Sequence, residues 1–176
     1  LTAVGQRFEP GRAVLECRVI DPDPWCRRCG AEGVLRDTVT RTLAHTPFGH
    51  RATTLQIRVR RYRCDWCRRV WREDTSMAAP SRAKITRAGL RWALEAVVID
   101  HLTLSRTAAN LGVSWHTANA AILAEGHRAL INDPARFDRV TVIGVDEHVW
   151  RHTRYGDKYV TVLIDLTPVR EKRGPA

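Results

Sequence analysis

Four of the five cysteines are arranged in two pairs whose spacing suits a metal ion. Cys26 and Cys29 form one CxxC pair, Cys64 and Cys67 form a second, and Cys17 lies outside both. Two thiolates from one tight CxxC turn can face the same ion, and two such turns supply the tetrahedral sulfur set that structural zinc prefers. The spacing therefore predicts a structural Zn²⁺ site made of the four paired cysteines.

The paired cysteines could instead form disulfides or a redox-active pair. Two disulfides would require an oxidising compartment, which no export signal in the sequence supports. A thioredoxin-like redox pair is a weaker alternative, because neither CxxC lies in a βαβ pattern. His45 and His50 lie on the loop between the pairs and could replace a thiolate, although four thiolates already complete the site. Cys17 is interpreted as a small buried residue rather than a ligand.

A second kind of metal chemistry is suggested near the end of the sequence. Residues 140–147 are typical of a buried strand that ends in Asp146 and Glu147, and residues 159–166 are typical of its antiparallel partner. A carboxylate at the end of an interior strand is how nucleotidyl-transfer sites of the ribonuclease-H type begin, where two Mg²⁺ ions assist the reaction. One Asp cannot hold two such ions. The alternative is an ordinary cap or turn residue.

Positive charge is concentrated around the second cysteine pair. The formal net charge is +10, and residues 51–72 alone carry eight arginines against one acidic residue, Asp65. Such an excess favours a polyanionic partner, although a solvated charged face is the alternative. We expect contacts with DNA phosphates from Arg58, Arg60, Arg61, Arg63, Arg68, Arg69 and Arg72.

Strands are expected to position the cysteine pairs. Leu55, Ile57 and Val59 alternate with polar residues, which predicts a half-buried strand over residues 55–63 leading into the second pair. Residues 34–37 are predicted to be the strand that leads out of the first pair. A zinc ribbon over residues 1–77 is therefore the expected architecture, followed by a linker at 78–84.

The middle of the chain has the periodicity of helices. Thr86 is a plausible N-cap of a first helix running to Asp100. Residues 104–123 have the layout of a helix-turn-helix, with Ser105 and Ser114 as caps and Gly112 in the turn. An ordinary helical hairpin is the alternative. In the DNA-binding interpretation, the exposed start of the second helix meets base edges through Trp115, His116, Thr117 and Asn119.

The expected fold class is α+β, in three parts. A β-rich zinc ribbon (1–77) is followed by a helix-turn-helix domain (84–132) and a β-hairpin (138–176) that begins an incomplete ribonuclease-H-like fold. No apolar run reaches the roughly 18–20 residues of a membrane span, so no membrane partner is expected.

The order of these motifs resembles a known family. The two CxxC pairs, the loop at 45–51, the LGVS turn at 111–114 and the strand at 143–147 together resemble the N-terminal portion of ISL3-family bacterial insertion-sequence transposases, the IS204/IS1001/IS1096/IS1165 group. The resemblance implies a DDE transposase with a zinc-binding module, a helix-turn-helix that reads terminal inverted repeats in double-stranded DNA, and a Mg²⁺-dependent catalytic domain. Asp146 matches the first catalytic Asp of that pattern, and Glu147 does not match the family's catalytic Glu.

The later carboxylates of the family pattern do not follow Asp146 in this sequence. We therefore expect a truncated or partial transposase, cytoplasmic and associated with the nucleoid, that is catalytically incomplete alone and can form a homo-oligomer. A zinc-ribbon and helix-turn-helix transcriptional regulator is the alternative, with the final hairpin as a dimerisation element. A ribbon that binds an acidic protein partner is a third interpretation.

Overall fold

The chain forms two compact units. The computed structural model describes residues 1–49, 51–149, 156 and 158–173. Within those residues the first unit, Leu1–Leu130, contains a five-stranded sheet and three α-helices, and the second, Ile131–Ala176, contains a two-stranded sheet and one short helix. The mixture of strands and helices confirms the predicted α+β class.

A long ribbon of two strands is the frame of the first unit. The strands of its sheet are β1 (Thr2–Glu9), β2 (Arg12–Arg18), β3 (Val34–Phe48), β4 (Arg51–Arg63) and β5 (Val70–Arg72). The ribbon is the antiparallel pair of β3 and β4, and β5 pairs with the far end of β4. The hairpin of β1 and β2 lies along the other edge of β4, with β2 parallel to it. The strand order is β1-β2-β4-β3.

The strand predicted over residues 55–63 is confirmed, and it begins earlier, at Arg51. Leu55, Ile57 and Val59 are buried and share a core with Cys17, as their alternation predicts. His45, expected on a loop, lies within β3. The expectation failed because β3 continues to pair with β4 through this region, with His45 opposite Thr53.

Three helices follow the sheet. They are α1 (Arg87–Val98), α2 (Leu104–Leu111) and α3 (Trp115–Gly126), and a π-helical turn, His127–Ile131, continues α3. Thr86 and Ser114 cap α1 and α3 as predicted, because each side-chain oxygen accepts a hydrogen bond from the backbone N–H three residues later. The predicted Ser105 cap of α2 is wrong. Thr103 caps it instead, since α2 begins two residues earlier than a Ser105 cap requires.

Small residues let the helices approach one another and the sheet. Ala93, Ala108 and Ala118, one from each helix, are at most 3 % exposed and share one core. Gly112 joins α2 to α3 with a φ of 66°, and a Cβ on it would lie only 3.0 Å from that of Ala52 in β4. A side chain at this turn would therefore be strained and crowded.

The segment at 78–84, interpreted from sequence as a linker, packs against the sheet. Ala79 is fully buried, and the backbone of Ala44 in β3 exchanges hydrogen bonds of 2.9 Å with Lys84 and Thr86. The segment thus extends the edge of the sheet before α1 begins.

None of the helices in the described ranges could cross a membrane. The longest, α1 and α3, have 12 residues each, compared with the roughly 20 that a bilayer requires.

The second unit is a small antiparallel pair. Its elements are β6 (Ile143–Val149), β7 (Tyr159–Asp165) and the short helix α4 (Thr167–Arg170). Thr167 ties its parts together, since its buried hydroxyl accepts hydrogen bonds from the backbone of Thr141 (2.8 Å) and Val142 (3.1 Å). The expected buried strand over 140–147 is wrong in two respects. The β6 residues are exposed, except for half-buried Gly144, and Asp146 is the fourth of seven strand residues, not the end.

Candidate metal centre

The two cysteine pairs form matching turns. In the first, the N–H of Gly30 donates to the carbonyl of Cys26 (2.8 Å), and in the second the N–H of Arg68 donates to the carbonyl of Cys64 (3.0 Å). Gly30 has a φ of 72° and Arg68 a φ of 61°, so both turns end on a left-handed residue. Glycine adopts such a φ at little cost. In the second turn the residue with positive φ is Arg68, and a residue with a Cβ is strained in this left-handed conformation.

The four sulfurs have the spacing of a tetrahedral site. Cys26 Sγ lies 3.5 Å from Cys67 Sγ, Cys29 Sγ lies 3.5 Å from Cys64 Sγ, and all four lie within 4.8 Å of one another. A Zn–S bond of about 2.3 Å implies sulfur–sulfur edges of roughly 3.8 Å in a tetrahedron. A disulfide would require about 2.05 Å. The arrangement therefore fits a zinc ion and does not fit two disulfides.

The thiols differ in acidity in the metal-free site. Backbone N–H groups, that of Arg28 first, lower the pKa of Cys26 to about 6. The N–H of Cys67 likewise lowers the pKa of Cys64. For Cys29 the N–H of Ala31 lowers the pKa, but the thiol's hydrogen bond with Cys64 and its desolvation outweigh it and raise the pKa to about 12. Neighbouring sulfurs cannot all carry negative charge without a cation between them.

Trp71 anchors the first turn to the sheet. Its ring stacks on Tyr62 of β4, with centroids 5.8 Å apart, and its Nε1 donates to the carbonyl of Asp23 (3.2 Å). A Cβ on Gly33 would lie 2.2 Å from the Trp71 ring, so only glycine fits there. The indole thus holds the chain on both sides of the first cysteine pair against the end of β4 and β5.

Of the two histidines considered as alternative ligands, His45 does not join the sulfur cluster. His45 Nδ1 lies 2.8 Å from Thr86 Oγ1, and burial lowers the pKa of His45. His50 lies outside the described residues. Cys17 is 5 % exposed in the core of the sheet, as the sequence suggested, and burial raises the pKa of its thiol.

A family model matches this part of the chain. The model describes the zinc-finger of transposase IS204/IS1001/IS1096/IS1165, and the match covers residues 22–67 of the 176. Residues 22–67 are therefore similar to the zinc ribbon of ISL3-type transposases. The resemblance predicted from the order of motifs is thereby confirmed over this segment. Comparisons with curated proteins and with solved structures found no match.

Three of the predicted DNA-contacting arginines are paired with carboxylates. The Arg60 guanidinium lies 2.7 Å from buried Glu73, Arg61 binds Asp37 through two hydrogen bonds of 2.5 Å, and Arg63 binds Asp65 at 3.0 Å. Side chains alternate along β4, so Arg58 and Arg60 lie on one face of the ribbon, and Arg61 and Arg63 lie on the other.

The remaining predicted arginines have no carboxylate partner among the described residues, and all are exposed. They are Arg58, Arg68, Arg69 and Arg72. The cysteine turns carry three further exposed side chains that the sequence argument omitted: Arg27, Arg28 and Trp66, the last 86 % exposed. Their position inside the CxxC pairs was the available signal, since the four cysteines occupy the centre and the two intervening residues must point away from it.

Two of the four residues predicted to contact bases are exposed at the start of α3. Trp115 and His116 are exposed, and their rings meet edge to face with centroids 5.3 Å apart. Thr117 and Asn119 are half-buried. The hydroxyl of Thr117 lies 2.9 Å from that of Ser114, so Thr117 also takes part in capping the helix.

Asp146 is exposed and has no carboxylate on its own face of the β6–β7 pair. Residues directly opposite one another in an antiparallel pair share a face, so its neighbours there are Gly144, His148 and Val162. Across the described residues, the four cysteines form the one group of three or more metal-binding side chains close enough to share an ion.

Proposed function

We propose that this chain binds duplex DNA as part of an ISL3-type insertion-sequence transposase, with the element's terminal inverted repeats as the target. The observation that carries the proposal is the ISL3-type ribbon at residues 22–67, whose four sulfurs are spaced for zinc and whose turns display arginines without carboxylate partners. A net charge of +10 supports a polyanionic partner.

In this proposal Zn²⁺ is structural. Cys26, Cys29, Cys64 and Cys67 hold it, and its charge neutralises thiolates that cannot all ionise without it. The ion then joins the two strands at one end of the ribbon, because one cysteine pair precedes β3, the other follows β4, and Val34 pairs with Arg63. No open coordination position is left for catalysis at a site of four thiolates.

Phosphate contacts come from the exposed arginines of the ribbon. Arg58, Arg68, Arg69 and Arg72 can reach an anion without first breaking an internal ion pair. Arg60, Arg61 and Arg63 remain proposed contacts, but each would have to share or leave its carboxylate. Phosphate contacts of this kind give affinity and register but little sequence preference.

Sequence preference comes from α2, the turn at Gly112 and α3, acting as a helix-turn-helix. The cap at Ser114 and the left-handed turn at Gly112 support this assignment, because they leave the first turn of α3 exposed. The proposed reading side chains are Trp115, His116, Thr117 and Asn119. A recognition helix contacts base edges with residues at its N-terminal end.

The second unit is proposed as the beginning of a ribonuclease-H-like catalytic domain. In the complete family enzyme Asp146 would hold Mg²⁺ together with carboxylates from other elements. Among the described residues, the face around Asp146 holds no such partner, so we propose that this chain binds DNA without cleaving it. Action as a homo-oligomer on nucleoid DNA in the cytoplasm belongs to the same proposal.

The test is fluorescence anisotropy with labelled duplexes taken from the DNA that flanks the coding region, compared with shuffled duplexes of equal length and composition. We expect tighter binding to the flanking inverted repeats and loss of that binding when zinc is chelated. Preference for a promoter-like duplex over the repeats would favour the transcriptional regulator. Absence of binding to every duplex at low salt would refute DNA binding and favour an acidic protein partner.

A further inference from the structure

A cleft lined by basic residues lies beside the outer edge of the ribbon. It has a volume of about 330 Å³ and runs over Val39–Thr42 of β3 towards Val59 of β4. Four positively charged side chains line it, from three separate parts of the chain: Arg41, Arg72, Arg82 and Lys84. The lining contains no carboxylate, although acidic residues accompany most other arginines of the ribbon.

Backbone donors face outward at the same edge. Ala44 uses both its N–H and its carbonyl to bond the chain outside the sheet, at Lys84 and Thr86. Backbone groups alternate in direction along a strand, and the register is regular here, so the N–H groups of Thr40 and Thr42 also point outward. Both residues line the cleft. Two amides that point away from β4 thus adjoin four cations, which is the donor set of an anion site.

One of the four positive charges in the cleft, that of Arg41, is held in place by the fold. Arg41 donates to the hydroxyl of Thr75 (2.5 Å) and to the carbonyls of Ala79 (3.2 Å) and Pro80 (2.5 Å), so its guanidinium cannot swing away. Burial, and secondarily the charge of Arg72, lower the pKa of Arg41. A bound anion would offset both unfavourable effects.

Arg82 occupies a strained conformation at the mouth of this cleft. Its φ is 64°, a left-handed value that glycine adopts at lower cost than any residue with a Cβ. Strained residues persist only where the surrounding structure holds them, and they cluster at ligand-binding and other functional sites. The strain at Arg82 is consistent with a role for its guanidinium in the cleft.

We propose that this cleft binds one phosphate group of the DNA backbone, through Arg72, Arg82, Lys84 and the amides of Thr40 and Thr42, with Arg41 as the fixed charge beneath it. The inference rests on the proposed DNA-binding function. A second cleft of about 350 Å³ shares Arg41, Arg72 and Thr75 with the first and continues to Arg27 and Arg69 beside the cysteine turns.

The first experiment measures how the affinity of the full chain for a labelled duplex depends on salt. The variants are Arg82→Gly, Arg72→Ala and the double variant. Each phosphate contact contributes about 0.9 to the slope of log affinity against log salt concentration. Since the two arginines share one phosphate, the double variant should lower the slope by about 0.9. A fall of about 1.8 would assign the arginines to separate phosphates, and an unchanged slope would remove them from the interface; either result overturns the proposal.

Two controls distinguish loss of the anion site from loss of the fold and from loss of net charge. Arg82→Gly relieves the left-handed strain, so its melting temperature should stay the same or rise while DNA affinity falls. Arg12→Ala removes an equal charge at the far end of β2, opposite Ala52 of β4, and should leave the slope unchanged. Loss of affinity in Arg12→Ala equal to that in Arg82→Gly would mean that net charge alone acts, which also overturns the proposal.

The second experiment uses inorganic phosphate as the probe and amide NMR of the zinc-loaded chain as the readout. Phosphate should shift the amides of Thr40 and Thr42 in the wild type and not in Arg72→Ala/Arg82→Gly. If these amides respond but no duplex binds, the anion site stands and the proposed DNA-binding function fails. If duplexes bind and these amides do not respond, DNA binding stands and the cleft is not its phosphate site.

Discussion

Arg60 and Glu73 are joined at three points across adjacent chain segments. The Arg60 backbone N–H donates to Glu73 Oε2 (2.9 Å), the Glu73 N–H donates to the Arg60 carbonyl (3.0 Å), and Arg60 Nε lies 2.7 Å from Glu73 Oε1. The Nε–H does not point along this last contact, so Oε1 has an ion pair but no hydrogen bond. The Glu73 side chain is 1 % exposed, which makes the carboxylate depend on this arginine.

Replacing Arg60 should therefore destabilise the fold. Arg60→Ala leaves a buried carboxylate without its counter-charge, and we expect a loss of about 3 kcal/mol in the free energy of unfolding. Arg58, exposed on the same face of β4, is the matched control, and Arg58→Ala should change stability by less than about 0.5 kcal/mol while weakening DNA binding. Urea unfolding of the zinc-loaded variants measures the difference. Equal stabilities would show that the Arg60–Glu73 pair contributes nothing to the fold.

Zinc affinity should fall as the pH falls. Coordination requires thiolates, and Cys29, with a pKa of about 12 in the metal-free site, must release a proton at any neutral pH. The bound state then carries fewer protons than the free state, so acid favours the free state by about tenfold per pH unit for each proton released. Below about pH 6 Cys26 is protonated too, and the dependence should steepen. Competition with a chromophoric chelator measures it.

Cysteine variants provide the control for that experiment. Cys29→Ser should abolish stoichiometric zinc and the folded ribbon, whereas Cys17→Ala should keep one zinc per chain, because Cys17 lies in the sheet core away from the sulfur cluster. Elemental analysis of the purified variants decides this. Zinc lost equally from both variants, or affinity that does not change with pH, would contradict a site of four thiolates.

The two left-handed turn residues should respond oppositely to substitution. Arg68→Gly removes strain and should stabilise the zinc-loaded chain by up to about 1 kcal/mol, while Gly30→Ala introduces it and should destabilise by about the same amount. Apart from its two chain neighbours, no described residue comes within 4 Å of a Cβ on Gly30, so the second effect isolates backbone strain from crowding. Thermal unfolding measures both changes. Destabilisation by Arg68→Gly would mean that this side chain supports the fold itself.

Phosphate contacts and base contacts should be made by different residues. Arg68→Ala should weaken binding to all duplexes about equally and lower the salt slope by about 0.9. His116→Ala or Asn119→Ala should instead change which duplex is preferred, since these residues lie in the first turns of α3. A selection from randomised duplexes, repeated for each variant, reads out the preference. Identical preferences in all variants would exclude α3 as the reading helix.

Asp146→Ala should leave both folding and DNA binding unchanged. Its side chain is exposed and has no acidic neighbour on its face within the described parts of β6 and β7, so Mg²⁺ should bind there only weakly. Nicking of a supercoiled plasmid containing the inverted repeats provides the measurement, with Mg²⁺ present and absent. Metal-dependent nicking that disappears in Asp146→Ala would show that the site assembles, for example between copies of the chain.

The sequence alone predicted those features that depend on a local pattern of residues. The CxxC spacing predicted the sulfur cluster, the alternation of Leu55, Ile57 and Val59 predicted β4, and hydroxyl residues before apolar helices predicted two of three caps. The wrong Ser105 cap shows that a hydroxyl residue does not by itself fix where a helix begins. Thr103 and Ser105 are both hydroxyl residues two positions apart, and only the packing of Leu104 and Thr107 against neighbouring elements selects the first.

Features that depend on distant partners could not be predicted. The carboxylates that engage Arg60 and Arg61 lie 13 and 24 residues away in sequence, so a count of charges treated those arginines as free. The hairpin of β1 and β2 was missed because most of β1 is exposed and carries no clear alternation. The basic cleft combines residues from β3, β5 and the segment at 78–84, which no spacing rule relates.

The parallel pairing of β2 with β4 has a consequence for how the chain is made. Residues 12–18 leave the ribosome well before residues 52–58, their partners in the sheet, and the first cysteine pair and all of β3 are synthesised between them. The N-terminal hairpin can close early but has no place to dock until the second half of the ribbon has emerged. Docking of the hairpin and capture of the metal therefore depend on the same late stretch of nascent polypeptide, and a ribosome stalled before residue 67 would hold a chain able to do neither.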